Sequence, residues 1–517
     1  MTLEYTNIED FPEIVTDLRK TFSKNVTKSI AYRKQQLQQL YYLIEENEEL
    51  IFDAVAKDFQ RSRTEAWLGE TALLKAEIIE FVNKLDEWAK PQIVETSIAY
   101  KFNKCYIIKE PIGTVLIIGT WNYPISLSLA PFAGAMAAGC TAICKPSEVA
   151  THSAKLIGEL FPKYLDHNAY RIVQAGPEGT VKLLEQKFDH IFYTGSTAVG
   201  KKVMEAAAKN LTPVTLELGG KSPVIVANDA NILISAKRII WGKIYNCGQT
   251  CIAPDYIICE RLVQTALIDS IPKVLEEFLG ENIKQSKDYA RIVNQRHFDR
   301  LQNMLLSTKG NILIGGDSDR DDLYIAPTVV TDVTKEDSLM QEEIFGPILP
   351  IVVVEDIDEA IEFVNNREIP LALYPFTSSK KLAKHILDNT QSGGVCVNDC
   401  ILHFAIPTLP FGGKGNSGMG NYHGKKSFDT FTHERSTNET PYYVEKLLGS
   451  RYPPYTNFKI WLLQLLIHVR PNFPRNTWSD RMRRLFVKIL KFIVYSAFLS
   501  YLGSPLVGRG YKYLSQY

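Results

Sequence analysis

The stretch Asn246-Cys247-Gly248-Gln249-Thr250-Cys251-Ile252-Ala253-Pro254 carries two thiols four residues apart, a spacing that puts both on one face if the segment is helical. Such a pair invites a metal reading. No matching Cys/His pair at zinc spacing stands elsewhere in the chain, so no metal site is expected. What remains is a nucleophilic thiol or a buried, inert one, since free cysteine is commonly core. Possible partners are scattered along the chain. Glu217 follows the apolar Val214-Thr215-Leu216 and precedes Gly219-Gly220, a place for a carboxylate that takes a proton or for a solvated surface acid. Asn122, before Tyr123-Pro124, is either a turn residue or an amide donor to a developing oxyanion. Gly195-Ser196-Thr197-Ala198-Val199-Gly200 lies between an apolar strand and a helical run at Lys201–Asn210, where a helix N-terminus can hold a phosphate. Its glycines are not spaced as in the common G-x-G-x-x-G fingerprint, and alone the segment reads as a turn.

The elements that must position these residues follow from length and rhythm. At 517 residues the chain exceeds one simple core, so two or more packed lobes are expected. A hydrophobic fraction of 45% with 22% charge is ordinary for a globular protein. The eight cysteines sit mostly in apolar stretches and the acidic N-terminus lacks the features of a signal peptide, which fits free thiols in a reducing compartment. The first ninety residues read as helices, with Leu37, Leu40, Tyr41, Ile44 and Ile51 recurring at three and four. Pro91 ends that block, and 93–108 alternates like extended structure. From Pro111 the rhythm becomes short apolar strands separated by helices: 114–118, 141–144, 172–173, 190–193, 214–216 and 224–226. Such strands indicate a parallel sheet covered on both faces, an α/β fold. A second α/β alternation runs from about Ile232 to Val395.

Seven motifs then stand in order: Trp121-Asn-Tyr-Pro124, Lys145-Pro-Ser-Glu148, Tyr193-Thr-Gly-Ser-Thr-Ala-Val-Gly200, Glu217-Leu-Gly-Gly-Lys-Ser-Pro223, Gly248-Gln-Thr-Cys251, Gln341-Glu-Glu-Ile-Phe-Gly-Pro347, and Pro410-Phe-Gly-Gly413 with Gly418-Met-Gly420. Together they resemble the aldehyde dehydrogenase superfamily over residues 10–437. Cys251-Ile-Ala-Pro-Asp-Tyr256 and Tyr422-His-Gly-Lys-Lys-Ser-Phe428 are similar to its class 3, fatty aldehyde branch. The resemblance implies a Rossmann-like NAD-binding domain from 1–92 and 111–216, a catalytic α/β domain at 217–395, and a bridging or oligomerisation element from 93–110 and 396–437. It also implies a homodimer. The chemistry is coherent. An aldehyde has no leaving group, so a nucleophile must add before hydride can depart, and Cys251 can do so as thiolate. Asn122 supplies an oxyanion donor, and the resemblance implies the Cys251 backbone N–H as another. Glu217 is then the base for thioester hydrolysis. Glu343 is assigned to the nicotinamide ribose, its share in deacylation left open. By the same resemblance Lys145 and Glu148 meet the adenosine ribose, Gly195 to Gly200 the pyrophosphate, and Phe345 the nicotinamide ribose. A carboxylate at the ribose disfavours a 2′-phosphate, so NAD is favoured over NADP. A catalytically silent binding protein would be expected to lack the thiol, acid or amide. A nicotinamide-free esterase would not need the nucleotide motifs.

The zero net charge hides a split. Residues 438–517 carry twelve Lys/Arg against three Asp/Glu, and residues 1–437 are acidic by the same margin. This basic, aromatic tail holds the apolar stretch Phe458–Val469 and an uncharged run from Phe492 to Gly508 preceded by Arg481, Arg483, Arg484, Lys488 and Lys491. The run stands at the lower limit for spanning a bilayer, and its basic flank suits anionic lipid. A membrane-associating tail is expected, on an endoplasmic reticulum, mitochondrial outer or lipid-droplet membrane, with the body in the cytosol. No nucleic-acid partner is expected. Fatty aldehyde dehydrogenases similarly carry a C-terminal hydrophobic anchor, which points to long-chain aldehydes as substrates, with medium-chain or aromatic aldehydes as the alternative.

Overall fold

Runs such as Thr114-Val-Leu-Ile-Ile and Tyr256-Ile-Ile-Cys are apolar at almost every position, which is stable only where both faces of a sheet are covered. The computed structural model describes residues 3–97, 100–467 and 478–502, and these runs form the centres of two sheets within it. The described residues fall into two units, Met1–Lys90 with Lys109–His433, and Pro91–Ile108 with Glu434–Tyr517.

The first unit opens with helices α1 (Phe11–Ser23), α2 (Ile30–Glu45), α3 (Glu48–Phe59) and α4 (Leu73–Trp88). The helical pattern of 27–59 is interrupted at Glu46-Asn47, where the Asn47 amide bonds the Leu43 carbonyl and the Tyr164 hydroxyl instead. One wide π-turn, Trp67–Ala72, leads into α4.

Strands β1 (Thr114–Ile118), β2 (Thr141–Lys145), β3 (Tyr170–Ile172), β4 (His190–Thr194) and β5 (Val214–Glu217) alternate with helices α5 (Ser126–Ala138), α6 (Thr151–Tyr164), α7 (Pro177–Leu184) and α8 (Thr197–Ala208). Every residue of α5 is buried, as befits a helix without a polar face. The predicted helix at 201–210 begins four residues earlier, because the Ser196 hydroxyl accepts the Val199 N–H and caps it. Successive residues of β1 point to opposite faces. Leu116 and Ile118 cluster with Phe11, Val15 and Leu18 of α1 and Val203 of α8, while Val115 and Ile117 join the main core.

The second sheet holds β6 (Pro223–Val226), β7 (Tyr256–Cys259), β8 (Asn311–Ile314), β9 (Thr328–Thr331), β10 (Ile348–Val353), β11 (Ala372–Phe376) and β12 (Gly394–Val395). Its order is β8-β9-β10-β7-β6-β11-β12, parallel except at β8. Helices α9 (Ile232–Ile244), α10 (Arg261–Leu279), α11 (Gln295–Ser307), α12 (Ile357–Asn365) and α13 (Lys380–Asn389) lie between its strands in the chain. The chain then returns to the first sheet. Strand β13 (Gly418–Met419) pairs antiparallel with β5, giving the order β13-β5-β4-β1-β2-β3, and helix α14 (Lys425–Thr430) follows.

In the second unit Gln92–Ile93 pairs antiparallel with Lys104–Pro111, and Thr432–Glu439 completes a three-stranded sheet, so the predicted extended segment is a hairpin arm. Helices α15 (Asn457–Ile467) and α16 (Trp478–Leu502) follow. No helix among the described residues is long and apolar enough to cross a membrane. The expected run Phe492–Gly508 passes out of the described residues after Leu502.

One buried acid ties α4 to α14. Glu77 accepts the Gly424 N–H at 2.9 Å and the Ser427 hydroxyl at 3.2 Å. Burial outweighs these bonds and raises its carboxyl from an ordinary 4.5 to about 7. The folded state therefore holds a proton that the unfolded chain releases near 4.5, so this group's contribution to stability falls as pH rises through that window. Glu77→Gln, which takes up no proton, should gain Tm relative to the parent between pH 5 and 8, read by thermal melts across pH. A gap that does not change with pH would show the carboxyl to be ionised.

Candidate active site

In an open parallel sheet ligands bind beyond the carboxyl ends of the strands, where the strand order reverses. Here β1 is flanked by β2 on one side and β4 on the other, and the loops leaving β1 and β4 carry Trp121-Asn122 and Gly195–Gly200. The same edge bears Glu217, opposite Thr194 in the register of β5 with β4. Five residues, 218–222, lead from Glu217 into β6 of the second sheet. The loops before β7 and β10, which hold Cys251 and Glu343, face this edge: a Cβ placed on Gly219 would stand 2.0 Å from the Glu343 carboxylate.

The loop to Cys251 leaves α9 in an unusual conformation. Asn246, Cys247 and Gly248 all have positive φ, at 52°, 55° and 71°. Only Gly fits the last position, since a Cβ there would lie 2.3 Å from the Gly346 carbonyl oxygen. Strain of this kind persists only where neighbours fix it. The Gln249 side chain does so, donating to the Asn246 and Arg291 carbonyls at 3.1 and 3.0 Å and accepting the Val293 N–H at 2.9 Å. Thr250 shares a 2.7 Å hydrogen bond with the Tyr123 hydroxyl. Asn122 is 2% exposed and spends one amide N–H on the Gln249 carbonyl at 3.0 Å, which leaves its second N–H for a ligand.

The two thiols of the motif part company here. Cys247 is fully buried against the Tyr289 hydroxyl, at 3.4 Å, and burial pushes its thiol up to about 12. Cys251 is partly exposed. Its thiol is also pushed well up, first by desolvation and then by Glu343 and Glu217, while its own N–H and that of Ile252 favour the thiolate. Glu217 is 3% exposed and neither carboxylate oxygen has a partner, so burial holds its carboxyl well above the usual range. Burial, then Asp255, raises Glu343 to about 8 against the pull of the Gly220 N–H, Lys221 and Arg300. The loop around Glu343 is pinned: Lys221 donates to the Leu339 and Glu342 carbonyls and pairs with Asp255, which also accepts the Ile344 N–H. Phe345 packs edge-on to Trp121 with ring centres 5.3 Å apart.

A cleft of about 670 Å³ opens beside these groups, lined by Thr197, Gly219, Gly220, Lys221, Glu343 and Asn416, a size that suits a cofactor. The first N–H groups of α8 lack intrahelical acceptors; the Ser196 hydroxyl takes that of Val199, and the tight turn before it needs Gly195, where a Cβ would lie 2.2 Å from the Tyr193 hydroxyl. Lys145 and Glu148 pair with each other at 2.6 Å. A helix N-terminus after a glycine turn, with a lysine and an acid at the next strand end, fits a dinucleotide.

Sequence reasoning missed Arg61, Glu70, Asn246 and Lys243. Arg61 and Glu70 form an ion pair at 2.8 Å with both side chains fully buried. Lys243, 2% exposed, is lowered by burial to about 8 although Asp255 and Glu343 act to raise it. The signal available was a lone charge at an apolar position, as at Glu70 within Trp67-Leu-Gly-Glu-Thr-Ala-Leu-Leu.

The aldehyde dehydrogenase family model matches residues 1–437. The chain is 49% identical over 446 residues to aldehyde dehydrogenase family 3 member A2 of Mus musculus, covering 86% of this chain and 92% of that protein. It is 47% identical over 442 residues to the dimeric NADP-preferring aldehyde dehydrogenase of Rattus norvegicus, covering 86% and 97%. Among solved structures, substrate-bound AldH of Staphylococcus aureus superposes with a TM-score of 0.85 at 44% identity, covering 88% of this chain and 99% of that one. The chain belongs to the aldehyde dehydrogenase family.

Proposed function

We propose that the protein oxidises long-chain aliphatic aldehydes to fatty acids through a thioester on Cys251. The observation that carries the reading is the gathering of one partly exposed thiol, one amide with a spare N–H and one buried carboxylate without a partner, with Glu343 acting on the same thiol and lining a nucleotide-sized cleft. In this reading Sγ of Cys251 adds to the carbonyl carbon, and the oxygen takes the charge as a tetrahedral thiohemiacetal. The Asn122 Nδ2–H and the Cys251 N–H donate to that oxygen. The nicotinamide, when bound, supplies the hydride acceptor, held by the α8 terminus, Lys145, Glu148, Glu343 and Phe345. The acyl group stays on Cys251 as a thioester. Glu217 takes the proton of an attacking water, the carbon–sulfur bond breaks, and the carboxylic acid leaves with the thiol restored.

NAD is preferred in this proposal because Glu148, assigned to the adenosine ribose, would repel a 2′-phosphate, although one relative is named for NADP. The long-chain preference is supported by the likeness to family 3 member A2. Membrane association is supported by α16, which exposes Trp478, Leu485, Phe486, Ile489 and Phe492 on a helix bearing Arg481 and Lys488, a composition suited to an anionic interface. A homodimer is supported by the relative named as dimeric.

Three outcomes are expected. Cys251→Ala should form no NADH, whereas Glu217→Gln should give a full first-turnover burst and then turn over ~10²-fold more slowly; a Glu217→Gln enzyme with unchanged steady-state rate would remove that residue from hydrolysis. Because burial raises both carboxyls, Glu343 to about 8 and Glu217 well above its usual range, their base forms grow as pH climbs, so steady-state turnover should rise from pH 6 toward 9. A flat profile would show the acids to be ionised throughout. Across benzaldehyde, hexanal and hexadecanal, kcat/KM should be highest for hexadecanal, and an equal or poorer value there would sink the long-chain assignment.

A further inference from the structure

The Arg61–Glu70 pair has no access to solvent. Taking two charges out of water costs several kcal/mol per ion, so stability alone is a poor reason for it, and its remaining bonds all go to the catalytic segments. Glu70 Oε2 accepts the N–H groups of Ile125 and Ser126 at 3.1 and 3.0 Å, the start of α5 directly after Asn122. The Arg61 guanidinium donates to the Asn122 carbonyl at 2.5 Å and twice to Asn246 Oδ1, at 2.7 and 3.1 Å.

These bonds settle which way the Asn246 amide faces. Its oxygen must meet the guanidinium, so its Nδ2 turns to the Asn122 and Gln249 carbonyls, 3.0 and 3.1 Å away. The Gln249 carbonyl also accepts the Asn122 Nδ2–H. The amide that would meet the oxyanion and the strained loop that ends in Cys251 are thus fastened to the same guanidinium. Asn246 is itself the first of the three positive-φ residues.

Building on the proposed thioester reaction, we infer that Asn246, held by Arg61 and Glu70, is a positioning residue that sets the Asn122 amide and the Cys251 loop at a fixed separation. It touches no reacting atom and acts through Asn122.

Asn246→Asp tests this. The change keeps the side-chain shape and the acceptor for Arg61 but removes both N–H donors to the Asn122 and Gln249 carbonyls. Hydride transfer is the step that needs the oxyanion donor. The variant should therefore melt as a folded protein and keep KM for hexadecanal within about threefold. Its kcat should fall by ~10²-fold, the scale of one lost oxyanion donor, and the deuterium isotope effect with 1-deuterated aldehyde should rise. On an Asn122→Ala background the same change should cost nothing further, since its target is gone. Arg61→Lys, which keeps the charge beside Glu70 but not the fork to Asn246, should show the same kcat loss and the same silence on the Asn122→Ala background, should Asn246→Asp fail to fold. A folded variant with parental kcat, or losses that multiply with Asn122→Ala, would overturn the inference. A wild-type protein that reduces no nicotinamide with any aldehyde would instead sink the proposed reaction itself.

Discussion

The site depends on a short crossing of the chain between two sheets. Residues 218–222 connect the carboxyl end of β5 to the start of β6, and five residues leave little freedom for how these ends approach. Both sides are tied down. The Glu217 carbonyl accepts the Gly195 N–H and the Leu218 N–H reaches the Ser417 carbonyl. On the far side the Ser222 carbonyl accepts the Asp255 N–H, and its hydroxyl accepts that of Ala372. An acid at the end of one sheet is thereby brought against a thiol that precedes a strand of the other, with the nucleotide-sized cleft alongside.

This arrangement sets an electrostatic tension. A thiol and two carboxyls share a poorly hydrated space, and each disfavours charge on the others. The basic groups nearby are spent on geometry: Lys221 and Arg300 hold backbone carbonyls of the Glu343 loop, and Arg61 holds Asn122 and Asn246. Lys243 is the exception, a buried lysine that acts on Asp255 and Glu343 through the field alone.

Much of this was legible from residue order. The short apolar strands indicated parallel sheets covered on both faces, and they form such sheets, with β3 at an edge. The motif around Cys251 reads as chemistry because its neighbours Glu217 and Asn122 also have chemical uses, and the fold brings all three to one edge. Other parts were hidden for a physical reason. Arg61 meets its Asn246 partner across 185 positions, and nothing local marks a charge that is neutralised so far away. The early start of α8 at Thr197 rests on a single capping hydroxyl, which apolar periodicity does not register. The motif Gly248-Gln-Thr-Cys251 marks one thiol by resemblance alone, and the Tyr289 contact and full burial of Cys247 supply the physical distinction.

The antiparallel strand β13 has a consequence for synthesis. Glu217 lies on β5, whose outer edge is covered only by Gly418–Met419, some 200 residues later in the chain. At a translation rate of ~5–20 residues per second the ribosome takes roughly 10–40 s to deliver that cover. For all of that time the nascent protein carries an open sheet edge, the kind of surface that pairs with other chains. The carboxylate assigned to the last chemical step is therefore on a strand completed near the end of translation of the first unit, and a chain cut short before Gly418 would present that strand to chaperones and to its own neighbours.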